Sequence, residues 1–311
     1  MMKPTKLFTA VWLASAAPLA LACADAPPAS IDIDANGYYS DANHSVIDPV
    51  LRARNIANTK PIEDFLGQVA KDANGQGDAA CALAWLESWA GQKALLGKLS
   101  SEQSYYVRKW TLGGMALSYA RVQASATPAQ RQAIEGWFRT LADATIAHSE
   151  AKKGGRNNHY YWEGLAVTAV GGVTRERRYL DWGRKVFDHA MAQMAADGSL
   201  PAEMERGVKA LHYQVYATVP LVMIASIQDL HDPKLDTLVR FTVAASADPS
   251  GIAKATGFEQ ERVGVRDVLT IYGRHEGKPQ PAAGKPLWQP RLGGDLEVAN
   301  PLEHLAAGKS Q

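Results

Sequence analysis

The stretch Thr127–Leu141, TPAQRQAIEGWFRTL, carries a complete helix signature. Thr127 is an N-cap residue and Pro128 suits the first helical position, where its missing N–H costs nothing. Ile134, Trp137, Phe138 and Leu141 then recur at spacings of three and four, which puts one apolar stripe on one helix face. The same periodicity recurs on both sides. It predicts helices around Ala80–Leu99, with Leu83, Leu86, Trp89 and Ala90, and around Tyr105–Val122, with Val107, Trp110, Gly114 and Leu117. Further helices are expected near Asn158–Val170, Tyr179–Met194 and Glu203–Leu230, separated by breaks such as Gly171-Gly172 and Asp197-Gly198. Strand-like alternation is scarce. The expected fold class is therefore all-α, an incomplete ring of antiparallel helix hairpins, preceded by an irregular segment at about 24–58. No strict repeat is visible, and Glu276–Pro290, rich in Pro, Gly and Lys, reads as a surface connection inside one domain.

With 311 residues, 46% of them hydrophobic, the chain can bury a large core. Its formal charge of +1 offers no basic field for nucleic acid, so an anionic ligand has to be held by local cations. Residues 1–22, MMKPTKLFTAVWLASAAPLALA, place Lys3 and Lys6 before an apolar run that ends in small residues, which reads as a secretory signal. The run is too short for a comfortable membrane span, and no later stretch reaches about 18 uninterrupted apolar residues. A periplasmic or secreted location is expected, with residues 23–311 forming a single domain. The two cysteines, Cys23 and Cys81, favour one disulfide in an oxidising compartment; lipidation of Cys23 is the competing reading.

Chemistry concentrates in two places. Gly154–Trp162, GGRNNHYYW, opens the Asn158 helix with carboxamides, an imidazole and aromatics. In Glu203–Tyr216, EMERGVKALHYQVY, Arg206 and Tyr213 are seven apart, so on one helix they sit about 10 Å apart on a shared face. The chain has no H-E-x-x-H, G-x-S-x-G, P-loop or paired-cysteine motif, so neither metal nor cofactor is expected. Asn, His, Arg and Tyr remain. That set suits abstraction of a proton α to a carboxylate, with Asn and Arg neutralising the enediolate and His or Tyr moving the proton. An acidic side chain beside them would repel the substrate.

Five ordered segments resemble the periplasmic alginate lyases of polysaccharide lyase family 5. NNHYYW at Asn157–Trp162 is similar to the family's NNHSYW, and LPAEMERGVKALHYQVYA at Leu200–Ala217 to its LPNELKRRQRALSYHNYA. ACALAWLESWA at Ala80–Ala90, RKWTLGGMA at Arg108–Ala116 and RLGGDL at Arg291–Leu296 match three more family motifs. The resemblance implies an incomplete α/α toroid with a long substrate groove. It implies that Asn158 and Arg206 neutralise the uronate carboxylate while His159 and Tyr213 do the acid–base work. Trp162 and Tyr216 would line sugar subsites, and His212, Tyr38, Tyr39 and Lys60 are further expected substrate contacts, the last three in a lid-like segment at about 35–60. It also implies a Cys23–Cys81 disulfide. The partner expected is an anionic polysaccharide, bound by a monomer.

Two departures from the family concern subsites. Its lid segment SKYEGSD is here ANGYYSD at Ala35–Asp41, which puts Asn36 or Gly37 where the family has a lysine. Gly207 follows Arg206 in place of an arginine, and His212 replaces a small residue before Tyr213. In β-D-mannuronate the C5 hydrogen and C4 oxygen lie on the same side, so a single group, such as a Tyr213 phenolate acidified by Arg206 and His159, can act on both. Histidine as base with tyrosine as acid is the other arrangement. D-Glucuronate shares the syn relation, so polyglucuronate and hyaluronan join mannuronate-rich alginate as expected substrates. A glycoside hydrolase using two carboxylates from Glu163, Glu203 and Glu205, or a non-catalytic polysaccharide binder, are the rival readings.

Overall fold

The computed structural model describes residues 23–278 and 285–305. The expected signal segment 1–22 lies outside the described residues, as does part of the expected surface connection. Eleven α-helices are formed among the described residues: α1 Pro49–Ala73, α2 Ala79–Gly91, α3 Glu102–Val122, α4 Pro128–Ala151, α5 Asn158–Thr174 and α6 Arg177–Gln193. They continue as α7 Pro201–Met204, α8 Ala210–Gln228, α9 Pro233–Ala247, α10 Ser250–Thr256 and α11 Arg266–His275. Two short antiparallel strands, β1 Trp288–Gln289 and β2 Gly294–Asp295, close the C-terminal segment.

Helices α3, α5 and α8 form an inner row. Sixteen of the 21 residues of α3, 15 of the 17 of α5 and 16 of the 19 of α8 are buried, so these helices are enclosed almost all round. Helix α5 packs against α3, α6, α8 and α4, while α8 also receives α9 and α11. The outer helices α4 and α6 bury one stripe each, 8 of 24 and 7 of 17 residues. Close approach between the layers depends on small residues: a Cβ on Gly164 of α5 would lie 2.6 Å from Val186 Cγ1 on α6. The stretch Gly207–Gln228 is long and apolar enough to cross a membrane, but 89% of its most apolar window is buried inside the fold.

Helix α4 begins where Thr127 and Pro128 predict, and Thr127 and Gln130 complete a capping box. The irregular N-terminal segment is shorter than expected. Asp48 caps α1 and Pro49 occupies its first turn. The first half of α1 buries Asn55 and Thr59 instead of an apolar stripe, so hydrophobic periodicity does not report it. The second correction is the stretch expected as one helix over Glu203–Leu230. It divides into α7, a 3₁₀ turn at Gly207–Lys209 and α8, because Gly207 adopts a left-handed φ of +56°. A disulfide joins Cys23 to Cys81, with Cα atoms 5.3 Å apart, and thereby ties the N-terminal segment to α2.

Candidate active site

The inner helices all start at one place. A cavity of about 370 Å³ is lined by Gln103, Tyr106 and Trp110 from α3, Asn157 and His159 from the start of α5, and His212, Tyr213 and Tyr216 from α8. Arg206, from the turn before α8, and Arg291, from the segment between the two strands, supply its cations. Tyr38, Tyr39 and His44, on the loop before α1, roof it. Three helix N-termini pointing at one cavity favour an anion there.

The kink at Gly207 brings Arg206 far closer to Tyr213 than one straight helix would. The Arg206 guanidinium lies 4.4 Å from the centroid of the Tyr213 ring. The Tyr213 hydroxyl lies within hydrogen-bond distance of the Tyr39 hydroxyl at 3.0 Å and of the His44 carbonyl at 3.3 Å; its single proton can go to the carbonyl while it accepts from Tyr39. Arg206 in turn donates to His44 Nδ1 at 3.1 Å. The loop is braced for this contact: Asp41 accepts from the N–H groups of Ser45 and Val46. Burial raises the Tyr213 phenol pKa above its ordinary value of 10, outweighing the lowering by Arg206. The acidified phenol expected from the sequence is thus not the resting state.

His159 stacks flat on Tyr106, with ring centroids 3.5 Å apart, and its backbone carbonyl accepts from Lys109 Nζ at 2.8 Å. Burial, then the cations Lys109 and Arg206, hold its pKa well below the usual 6.5, so the imidazole is neutral. Lys109 itself, 1% exposed beside Glu163 at 3.4 Å, is pushed down to about 7.

Asn158 takes a different position from its neighbours. It is fully buried, does not line the cavity, and donates from its backbone N–H to Glu203 Oε1 at 2.6 Å and from Nδ2 to Glu203 Oε2 at 2.9 Å. Its Oδ1 is left without a partner. A carboxylate therefore does stand beside this group, contrary to expectation, with burial raising its pKa to about 6. Asn157 reaches the cavity instead, while its side chain caps α5 through the His159 N–H.

Other expected contacts divide. Tyr38, Tyr39, His212 and Tyr216 line the cavity. Trp162 does not: it packs behind Tyr216, with rings 5.0 Å apart, and its Nε1–H donates to the Tyr216 carbonyl. Lys60 does not line the cavity either: it is exposed on α1 and paired with Asp64 four residues on, where one helical turn brings the two together. Asn36, in the place of the family's lysine, donates to the Leu51 and Gly37 carbonyls and so holds the loop. Sequence reasoning missed Tyr106, Trp110, His44 and Arg291 as site residues. Arg291 stacks 4.4 Å over the Trp110 ring and donates to Glu63. Both Arg291 and Trp110 belong to motif segments, RLGGDL and RKWTLGGMA, whose retention was the available signal.

None of Glu163, Glu203 and Glu205 lines the cavity, and its one acid, Glu102, is tied to Lys152 and His148. The carboxylate pair of a glycoside hydrolase is not assembled there.

The sequence profile of the alginate lyase family, described as "Alginate lyase", matches residues 32–251. The chain belongs to the alginate lyase family. A Stenotrophomonas maltophilia protein described as a polysaccharide lyase is 38% identical over 307 residues, covering 92% of either chain. An alginate lyase of Pseudomonas fluorescens is 35% identical over 196 residues, 58% of this chain and 53% of that one. Alginate lyase A1-III, solved as a histidine-to-alanine variant complexed with a tetrasaccharide, superposes with a TM-score of 0.72 at 25% identity, covering 88% of this chain and 84% of that one. The α/α toroid of this lyase family accounts for the inner and outer rows described above, and the chain is a polysaccharide lyase.

Proposed function

We propose that this lyase cleaves β-1,4-linked uronate polymers by syn elimination, acting on mannuronate-rich alginate and on glucuronate polymers, polyglucuronate and hyaluronan among them. The observation that carries the reading is the convergence of His159, Arg206 and Tyr213 on one cavity that lacks a carboxylate pair. Arg206 holds the uronate carboxylate, taking it in place of His44. Asn158, steered by Glu203, adds its amide dipole behind the wall. Neutralising the carboxylate acidifies the C5 hydrogen.

Tyr213 starts protonated and must first lose its phenolic proton to solvent, because His159, with its pKa held well below 6.5, is a poor acceptor for a phenol raised above 10. The phenolate then takes the C5 proton, the C4–O4 bond breaks as C4=C5 forms, and the phenol passes the proton to O4. The phenolate is regenerated. L-Guluronate, whose C5 hydrogen and C4 oxygen are anti, needs base and acid on opposite sides and should react poorly.

The signal-like segment and the Cys23–Cys81 disulfide support export to an oxidising compartment. A panel of purified polymannuronate, polyguluronate, polyglucuronate and hyaluronan, followed by ultraviolet absorbance of the unsaturated ends, tests the function. Absorbance is expected from the mannuronate and glucuronate polymers. Equal rates on polyguluronate and polymannuronate, or no cleavage of any glucuronate polymer at pH 5–9, would overturn the proposed range; saturated ends would overturn the lyase chemistry.

A further inference from the structure

Three of the chain's eight histidines meet where α8, α11 and the C-terminal segment come together. Asp229 is the left-handed C-cap of α8 and His231 follows it; His275 is the last residue of α11. His304 comes from the segment after β2, anchored by its own N–H to the Ser226 carbonyl at 2.7 Å and by the Leu305 N–H to the Ile227 carbonyl at 3.0 Å. The His275 ring is flanked by near-parallel rings, His231 at 4.6 Å and His304 at 5.9 Å. One carboxylate oxygen of Asp229, one ring nitrogen of His275 and one of His304 lie within 4.8 Å of one another. None of these residues lines the catalytic cavity.

His275 is 3% exposed, and the state of its ring is determined by a neighbour. Its Nε2 lies 3.0 Å from the Leu230 carbonyl oxygen, which can only accept, so the ring proton is on Nε2 and the lone pair is on Nδ1. That Nδ1 is buried and has no hydrogen-bond partner. Leaving such a group unsatisfied costs about 1–3 kcal/mol, which the fold tolerates here. A metal-ligating imidazole has this arrangement: one N–H held by a backbone carbonyl, the other nitrogen free for the ion. The Asp229 carboxylate lies 2.8 Å from His304 Nδ1.

We propose that Asp229, His275 and His304 form a binding site for a divalent transition metal of the zinc class, separate from the catalytic cavity. Two imidazoles and a carboxylate form a common zinc donor set, with a fourth position left for water. His231 Nδ1 and the Glu276 carboxylate, 3.7 Å apart, stand beside the site. The ion would join the end of α8, the end of α11 and residues 300–305. Spacings of 46 and 29 residues between the three ligands match no metal motif, which is why the sequence reading expected no metal.

The test uses the tag-free mature chain, stripped with a chelator and titrated with zinc chloride by calorimetry, with thermal unfolding in parallel. One zinc per chain is expected, together with a rise in the unfolding midpoint. Asp229 and His304 are 46% and 43% exposed at the side chain, so Asp229→Asn and His304→Ala should fold. Each should weaken zinc binding by at least about tenfold and abolish the midpoint rise. His189→Ala, outside the cluster, should change neither. Affinity weaker than about 100 μM, binding untouched by both cluster variants, or binding lost instead on His159→Ala would each overturn the proposal.

Discussion

The guanidinium of Arg206 lies over the ring of Tyr213, 4.4 Å from its centroid, while the Tyr213 hydroxyl is held by Tyr39 and His44. Ring and hydroxyl therefore have separable duties. Tyr213→Phe retains the stacking and removes only the proton carrier. Its rate on polymannuronate should fall at least about a hundredfold, with polymer binding and unfolding midpoint nearly unchanged. Retention of more than about a tenth of the wild-type rate would remove Tyr213 from the chemistry. Since burial raises the phenol pKa and lowers that of His159, the wild-type rate should also climb with pH above 7, without an imidazole limb at 6.5.

An acid limb should come from Glu203. Its buried carboxylate accepts both donors of Asn158, and burial lifts its pKa from 4.5 to about 6. Below that value one acceptor is lost and Asn158 is no longer steered. Glu203→Gln should turn the Asn158 carboxamide over, because the glutamine amide has to meet Oδ1, and should abolish the acid limb at a reduced rate. Stability supplies an independent readout. At Glu203 the folded state binds more protons than the unfolded one between pH 4.5 and 6, so this group's contribution to stability falls as pH rises, by about 2 kcal/mol, while the buried histidines, whose pKa values are lowered, contribute in the opposite direction. Urea unfolding at pH 4.5 and 7 isolates it by difference: the change in stability between the two pH values should be about 2 kcal/mol less favourable in wild type than in Glu203→Gln.

What the sequence disclosed and what it hid follow from the range of the forces involved. Thr127, Pro128 and the stripe from Ile134 to Leu141 are local signals, and α4 follows them. The first half of α1 was hidden because its buried face carries Asn55 and Thr59. The break before α8 rests on one left-handed residue, Gly207, inside an otherwise helical pattern. His159, Arg206 and Tyr213 were found through short motifs. The loop that brings His44 to Arg206, the carboxylate behind Asn158 and the Arg291 stack on Trp110 are contacts across 45 to 181 positions, beyond any local pattern.

Lys109 offers a test of how the His159 imidazole is held. Its ammonium is buried between Glu163 and the His159 carbonyl. Lys109→Met leaves Glu163 with Lys152 alone, at 3.8 Å, and should destabilise the fold by about 3 kcal/mol. The double variant Lys109→Met with Glu163→Gln removes the stranded charge and should recover much of that loss. Steady-state kinetics on the double variant then separates the roles. A kcat that stays depressed while stability returns places Lys109 behind His159 as a positioning residue, whereas recovery of both would make the pair purely structural.

Substrate choice leads to His212, which lines the cavity between Tyr213, edge-on at 5.3 Å, and Tyr216, whose ring is parallel to it at 6.2 Å. Burial first, and Lys209 second, hold its pKa below 6.5. The imidazole is thus neutral at pH 7 and above, and it acts on a sugar hydroxyl as a hydrogen-bond partner with no charge to contribute. Mannuronate and glucuronate differ only at the C2 hydroxyl, so a group fixed beside Tyr213 is placed to tell them apart. His212→Ser removes the ring and should move the ratio of polymannuronate to polyglucuronate kcat/KM toward mannuronate by about tenfold, the low end of what one hydroxyl contact contributes. The wild-type ratio should hold constant from pH 7 to 9, because His212 has no proton to lose there. A ratio unmoved by the substitution would transfer the discrimination to the loop at Asn36 and Gly37, whereas a ratio that swings with pH above 7 would mean that a titrating group other than His212 sets the preference.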